Sequence, residues 1–206
     1  MGNLMRRRAM MQAGGDDTPV LSGNAISATT ATWYTTPILM PTGSIVTLDV
    51  NFKYGTGGIG TSGYNFFMFP DSTSNGIIGR SSSSNNLRYR FSTTSGYYVT
   101  TEAFGVNIVN RIELKPADKT MTVYFSDGTY VDATGTRAWT ARTGDNTLQM
   151  QLRTNFYVKR LRQVNSGDVL VHDLLPAKAG GVVGMLDVVD NTFYPYNDGN
   201  TFITTI

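Results

Sequence analysis

Short apolar stretches separated by glycine, asparagine, aspartate, serine and proline fill this sequence after its first 17 residues, and this rhythm limits the fold more than any other feature. Residues 45–52 alternate strictly, because Val46, Leu48, Val50 and Phe52 share one face and polar side chains take the other. A period of two is typical of a strand with one buried face. No helical periodicity persists for three turns. The sequence therefore predicts an all-β fold.

A meander from Arg111 to Asp132 is the clearest local prediction. Turn residues at 116–119 and at Asp127-Gly128 divide this segment into three strands. Its inward positions are Ile112, Leu114, Met121, Val123 and Phe125. Further strands are predicted at 87–91, 148–152, 157–164 and 169–175. Many short strands at this spacing indicate an antiparallel sandwich or barrel.

Missing residue types exclude several kinds of site. The chain has no cysteine, which excludes disulfides and thiolate metal sites, and His172 is its single histidine, which excludes a multi-histidine metal site. Glu102 and Glu113, the two glutamates, lie eleven residues apart and form no pair typical of glycoside hydrolases. A hydrolase would have to draw on the strand-placed aspartates, which are Asp49, Asp132 and Asp173. We therefore expect no enzyme, no catalytic residue, no metal and no cofactor.

Net charge and hydropathy limit the kinds of binding partner that this chain can have. Lysine and arginine number 17 against 15 acidic residues, and a net charge of +2 does not indicate a nucleic-acid-binding protein. Hydrophobic residues make up 40% of the chain, which is typical of a folded domain, yet no run approaches the length of a membrane span. We expect one β-domain over residues 18–206, with no nucleic-acid partner and no membrane insertion.

A basic, methionine-rich segment, residues 1–17, precedes this domain. Its apolar stretch 9–11 is too short for a secretory signal. The segment is either a solvated tail or a docking peptide, whose guanidinium groups bind carboxylates or phosphates and whose methionines serve as apolar anchors. In the docking interpretation the partner-binding residues are Arg6, Arg7, Arg8, Met10 and Met11.

Glycine-rich loops are predicted at 54–63 and 71–86, either as mobile surface loops or as a recognition surface. Aromatic side chains provide the surface on which a sugar ring stacks, although an aromatic residue in a β-sandwich is more often part of the core. The candidates for glycan binding are Trp33, Tyr34, Tyr97, Tyr98 and Trp139.

The last quarter of the chain carries a family resemblance. Residues 157–177 combine a strand, an Asn-Ser-Gly-Asp turn and a leucine- and valine-rich strand, and Gly181–Asp187 reads Gly-Val-Val-Gly-Met-Leu-Asp. A closing Asn-Asp-Gly follows at 197–199. This pattern resembles the closing hairpin of concanavalin A-like, LamG-type jelly rolls found in phage virion and tail-associated proteins. The resemblance covers residues 157–202.

The resemblance implies an antiparallel two-sheet jelly-roll sandwich with a short N-terminal extension. It also implies a non-enzymatic virion structural protein, in a head fibre, tail or decoration layer, that is made in the host cytoplasm without a signal peptide. Its partners would be capsid, portal or tail proteins and further copies in a homo-oligomer. The alternative is a carbohydrate-binding module for attachment to host surface glycans.

The residues of this last quarter also predict particular turns and buried contacts. Gly181 and Gly184 would allow a tight turn. Buried contacts are expected from Val182, Val183, Leu186 and Val188, and Phe193 and Phe202 would hold the last strand against the sandwich. The turn aspartates are Asp187, Asp190 and Asp198. They either bond backbone amides or bind calcium, as some LamG-type domains do.

Overall fold

The computed structural model describes residues 18–22, 24–39, 43–53, 64–68, 76–80, 86–89, 98–103, 108–134, 147–196 and 199–206. All regular elements in these ranges are β-strands, which confirms the all-β prediction. The docking segment 1–17, Tyr97 and Trp139 lie outside the described residues, and Tyr98 is described by its backbone alone. No helix long and apolar enough to cross a membrane occurs in this part of the chain.

Seventeen strands follow one another along the described residues. They are β1 (Val20–Leu21), β2 (Ala25–Ala28), β3 (Thr32–Leu39), β4 (Ile45–Lys53), β5 (Tyr64–Met68), β6 (Gly76–Arg80), β7 (Asn86–Tyr89), β8 (Tyr98–Ala103), β9 (Ile108–Lys115), β10 (Thr120–Phe125), β11 (Tyr130–Thr134), β12 (Thr147–Leu152), β13 (Tyr157–Val164), β14 (Leu170–Ala179), β15 (Val182–Asp187), β16 (Thr192–Pro195) and β17 (Thr201–Thr204). The predicted meander is confirmed as β9, β10 and β11.

These strands form a large antiparallel sheet and a smaller one. The larger sheet has the order β11-β10-β9-β4-β13-β14-β15-β16, and the smaller has the order β3-β12-β5-β6-β7-β8. The larger sheet forks, because β13 and β14 pair only at residues 161–164 and 170–174. The fork holds β2, which pairs with β13 and β17, and β1, which pairs with the far end of β14. This arrangement is consistent with a β-sandwich.

The core lies between the inner faces of the two sheets. The alternation predicted for β4 is confirmed, since the four apolar side chains on its inward face are all buried. From the smaller sheet and the segment after β12, the core receives Ile38, Phe67, Leu148, Met150, Leu152 and Phe156. The rings of Phe52 and Phe156 lie 5.2 Å apart across it. Burial of these side chains stabilises the sandwich by roughly 1.5–3 kcal/mol each.

Several local expectations differ from the structure. The segment predicted as loop 71–86 contains strand β6. The strand predicted to end at residue 175 runs four residues further, through Pro176. Proline is tolerated there because β14 no longer pairs with β13 at this point, and its neighbour on that side is the two-residue strand β1. Gly184 lies within β15 instead of in a turn. The turn itself is made by Gly180 and Gly181, both with positive φ.

One of the expected buried contacts, that of Val188, is wrong, and Phe202, which is expected to hold the last strand, is also exposed. Val188 is 41% exposed because it lies in the turn after β15. Phe202 is 37% exposed because β17 is held by its backbone pairing with β2, where it faces Ser27. Leu186 is buried as expected, whereas Val182, Val183 and Phe193 are partly buried.

Candidate binding faces of the sandwich

The outer face of the larger sheet carries polar and charged side chains in register across the strands from β11 to β14. Tyr124 pairs with Tyr130 on one side and with Arg111 on the other. Asp49 in turn pairs with Arg111 and with Arg160. The next row contains Asp132, Thr122, Glu113, Thr47, Arg162 and Asp173. We call these two rows the charged face.

Ion pairs connect neighbouring strands of the charged face. The Asp49 carboxylate accepts hydrogen bonds from Arg111 Nε at 2.6 Å and from Arg162 Nη2 at 3.2 Å. Arg160 donates two bonds of 2.6 Å to the two oxygens of Asp173. The bond to Asp173 raises the pKa of Arg160 above its ordinary value, against the opposing effect of partial burial. The guanidinium groups of this face are therefore bound to carboxylates of the protein itself.

All three aspartates considered for hydrolysis lie on the charged face, and each is hydrogen-bonded. Asp132 accepts a 2.6 Å bond from the Thr122 hydroxyl. The strand of Asp49 lies three strand spacings, about 14 Å, from that of Asp132 and two spacings, about 10 Å, from that of Asp173, and Asp49 is also offset by one row along the strands. Glycosidase carboxyl groups lie about 5–9.5 Å apart. The three aspartates of this protein are therefore placed as ion-paired or hydroxyl-bonded side chains on a sheet surface.

The outer face of the smaller sheet is different in character. In β3, Tyr34, Thr36 and Ile38 are buried, so Trp33 and Thr35 point outward. The same alternation in β12 directs Gln149 and Gln151 outward. Pairing of the two strands places Trp33 opposite Gln151 and Thr35 opposite Gln149. We call these four residues the neutral face, since none of them carries a charge.

The neutral face rests on a fixed support. Gln149 Nε2 donates to Thr35 Oγ1 at 3.4 Å. Behind this surface, the buried Thr36 hydroxyl donates to the Leu148 carbonyl at 2.7 Å and accepts from the Ile38 amide at 3.2 Å. These bonds tie β3 to β12 and hold the four outward side chains in one register.

Two of the aromatic residues proposed for glycan binding take opposite positions. Trp33 lies half-buried on the neutral face. Tyr34 belongs to the core, where its ring stacks on Tyr196 at 3.9 Å and its hydroxyl bonds the Thr201 hydroxyl. Burial raises the pKa of Tyr196 far above its ordinary value, with a smaller contribution from Tyr34. The neighbouring residues Trp33 and Tyr34 thus point to opposite sides of one sheet.

A histidine–aspartate pair lies where β14 and β15 adjoin the turn after β15. Asp187 is fully buried, and its Oδ2 lies 2.6 Å from His172 Nδ1. Its Oδ1 accepts from the amides of Asp173 at 3.0 Å and Val189 at 3.1 Å. The predicted turn chemistry is confirmed for Asp187, and also for Asp190, which accepts from the Thr192 amide at 2.9 Å. Asp198 lies outside the described residues.

Within the described ranges, no group of three histidine, cysteine or acidic residues is placed to hold a metal ion. Sequence reasoning named Trp33 but missed Thr35, Gln149 and Gln151. The alternation at 148–152 already places both glutamines on the polar side of a strand, which is a usable signal. The pairing of β3 with β12 is absent from that signal, because the two strands are far apart in the chain.

Comparison with known proteins assigns no family to this chain. Its sequence matches no protein-family model and no curated protein.

Proposed function

We propose that this chain is a non-enzymatic structural protein of a phage virion, in a head fibre, tail or decoration layer, and that its sandwich is a concanavalin A-like jelly roll. One observation carries the proposal. The last quarter, which resembles the closing hairpin of such jelly rolls, contains β13, β14 and β15 as consecutive antiparallel neighbours.

The turn of this hairpin explains its sequence. Asn165 Oδ1 accepts from the amides of Gly167 at 2.9 Å and Val169 at 3.1 Å, and Asp168 adopts a positive φ of 58°. Asparagine, glycine and aspartate are the residues that such a conformation favours. The turn residues in the resembling segment therefore have a structural purpose, which supports the jelly-roll assignment.

The second glycine of the Gly-Val-Val-Gly segment also has a physical reason. A Cβ on Gly184 would lie 2.7 Å from Cζ of Phe193 and still closer to the carbonyl oxygen of Tyr194. Only glycine fits between β15 and the aromatic side chain of β16. This residue of the resembling segment is therefore fixed by packing.

Anchoring is assigned to the N-terminal segment in this proposal. Arg6, Arg7 and Arg8, with Met10 and Met11, would bind a capsid, portal or tail protein, or another copy in a homo-oligomer. The first described strand begins at Val20, after this segment. Anchor and displayed domain would therefore be separable parts of the chain.

Deletion of residues 1–15 tests the anchor. We expect the truncated sandwich to keep its urea unfolding midpoint, because no described strand is lost, and to disappear from assembled particles measured by quantitative mass spectrometry. Lys178→Ala, which removes an exposed cation from the sandwich, is the matched control and should assemble normally. Particles containing the truncated chain at full copy number would overturn the anchor.

Carbohydrate binding for host attachment is the second candidate function. The neutral face favours it, because an indole beside two amides and a hydroxyl offers both the stacking surface and the hydrogen bonds that a sugar requires. Display on a particle and glycan binding are compatible roles. A glycan array with the intact chain separates them, since display requires no glycan ligand.

A further inference from the structure

We infer that the neutral face, made by Trp33, Thr35, Gln149 and Gln151, is a binding site for an uncharged saccharide. This inference rests on the second candidate function, carbohydrate binding, and is independent of incorporation into a particle. It adds to that function a location and a ligand class.

The four side chains form one compact patch. Directly opposed residues on antiparallel strands have Cβ atoms about 4.5–5.5 Å apart, and positions i and i+2 lie about 7 Å apart along a strand. Trp33 and Gln151 are one opposed pair, and Thr35 and Gln149 are the next outward pair. The patch therefore brings the indole, both amides and the hydroxyl within reach of a single sugar ring.

The chemistry of the patch matches the two sides of a sugar. A pyranose presents carbon-bound hydrogens on its ring face and hydroxyls around its edge. The indole ring of Trp33 supplies an apolar aromatic surface for the ring face. Gln149 and Gln151 each carry a carbonyl acceptor and two amide donors, so they complement hydroxyls that also donate and accept.

Absence of charge from the four residues selects the ligand class. A carboxylate or phosphate on the sugar would lose hydration at this patch without gaining an opposite charge from it. The nearest cation along β12 is Arg153, two residues beyond Gln151. An acidic saccharide would have to reach Arg153, which gives the two ligand classes separate mutational signatures.

The charged face is the weaker candidate for the same ligand. Its carboxylates and guanidinium groups already bind one another at 2.6 Å in Asp49–Arg111 and Arg160–Asp173. A sugar would have to compete with these charge-assisted bonds. On the neutral face the bond from Gln149 Nε2 to Thr35 Oγ1 is a 3.4 Å contact between uncharged groups, which a hydroxyl readily replaces.

The experiment is a glycan array followed by titration of the full-length chain. The array carries uncharged oligosaccharides, among them glucans, galactans and mannans, and the sialylated counterparts of a matched set. We expect binding to uncharged saccharides, a loss of about tenfold or more in affinity for Trp33→Ala, and a loss of several-fold for Gln151→Ala. Tyr130→Ala, which removes a 61% exposed aromatic from the charged face, is the matched control and should bind normally.

Tryptophan fluorescence provides a readout that does not depend on the folding of Trp33→Ala. Trp33 and Trp139 are the two tryptophans, so Trp139→Phe leaves Trp33 as the single emitter. We expect the bound saccharide to shift the emission of Trp139→Phe. An unchanged emission at saturating ligand would overturn the site.

The outcomes separate the site from the function. Equal affinity of the wild type, Trp33→Ala and Gln151→Ala for one glycan would overturn the site while carbohydrate binding stands. Binding limited to sialylated glycans and lost in Arg153→Ala would overturn the uncharged class. A silent array would overturn both the inference and the carbohydrate-binding function, and it would leave particle incorporation as the remaining role.

Discussion

The two outer faces of the sandwich satisfy their polar groups in different ways. On the charged face, arginines and aspartates of neighbouring strands bind each other, as Arg160 and Asp173 do with two bonds of 2.6 Å. On the neutral face, Gln149 donates to the Thr35 hydroxyl at 3.4 Å, a long bond between uncharged groups. An exposed polar residue is therefore not the same as an available one. The described bonds of the charged face join opposite charges, whereas the described bond of the neutral face joins uncharged groups.

Gly184 gives the largest expected effect on stability, and it tests the close packing of β15 against β16. Gly184→Ala should lower the free energy of unfolding by about 3 kcal/mol or more, because the new methyl group meets a backbone carbonyl and the Phe193 ring. Urea denaturation measures this. Gly181→Ala is the control, since space there is open and only a φ of +83° opposes it, at about 1–2 kcal/mol. Equal losses in both variants would contradict the packing argument.

Asp173 tests whether the charged face stabilises the fold. Asp173 is buried, and Asp173→Ala removes the bidentate partner of Arg160. We therefore expect a loss of about 2–3 kcal/mol in unfolding free energy. The matched change on the neutral face, Gln151→Ala, should stay within about 0.5 kcal/mol. If the two variants were equally stable in thermal unfolding, the contrast between the faces would not hold.

Alkaline pH tests the stack of Tyr34 on Tyr196, which lies in the core behind the neutral face. Burial raises the pKa of Tyr196 in the folded state, whereas an unfolded tyrosine titrates near about 10. Above that pH the unfolded state releases a proton that the folded state keeps, so stability should fall by about 1.4 kcal/mol per pH unit. Stability below pH 10 should be unaffected by this group.

Tyr196→Phe is the control for the alkaline experiment. It should remove this component of the alkaline loss and leave stability at neutral pH unchanged or improved, because the buried Tyr196 hydroxyl has no hydrogen-bond partner among the described residues. An unchanged slope in Tyr196→Phe would show that other groups cause the alkaline loss.

Salt gives the smallest expected effect and the finest comparison of the faces. Asp49→Asn weakens two partly exposed ion pairs, so its cost should be under about 1 kcal/mol at low salt and should shrink further at high salt. Gln149→Ala should show no such dependence. Parallel urea titrations at two ionic strengths measure both, and a salt-independent cost for Asp49→Asn would count against screening.

Much of the local structure follows from the sequence, and the sheet partners do not. The alternation at 45–52 and 148–152 places each side chain inside or outside, because a strand has a period of two. The same period directs Trp33 outward and Tyr34 inward once the position of β3 is known. Local periodicity contains no information on which strands meet, so the neutral face became visible only with the pairing of β3 and β12.

Gly184 and Asp187 show the other limit of sequence reasoning. A glycine is read as a turn residue by default, yet Gly184 is required by the ring of a residue on another strand. Asp187 bonds turn amides as its sequence context predicts, but its bond to His172 depends on the adjacency of β14 and β15. Contacts between strands therefore determine the structural roles of Gly184 and Asp187.

The fork in the larger sheet also affects how the chain folds. Strand β2 finds its partner β17 only near the other end of the chain, with bonds such as that from the Thr29 amide to the Asn200 carbonyl at 2.9 Å. Contacts between such distant residues are slow to form, since a long loop must close first. During synthesis on the ribosome, the edge of β2 that binds β17 stays unpaired until the chain up to Thr204 has emerged. Folding of the sandwich should therefore finish late, with this pairing among its last steps.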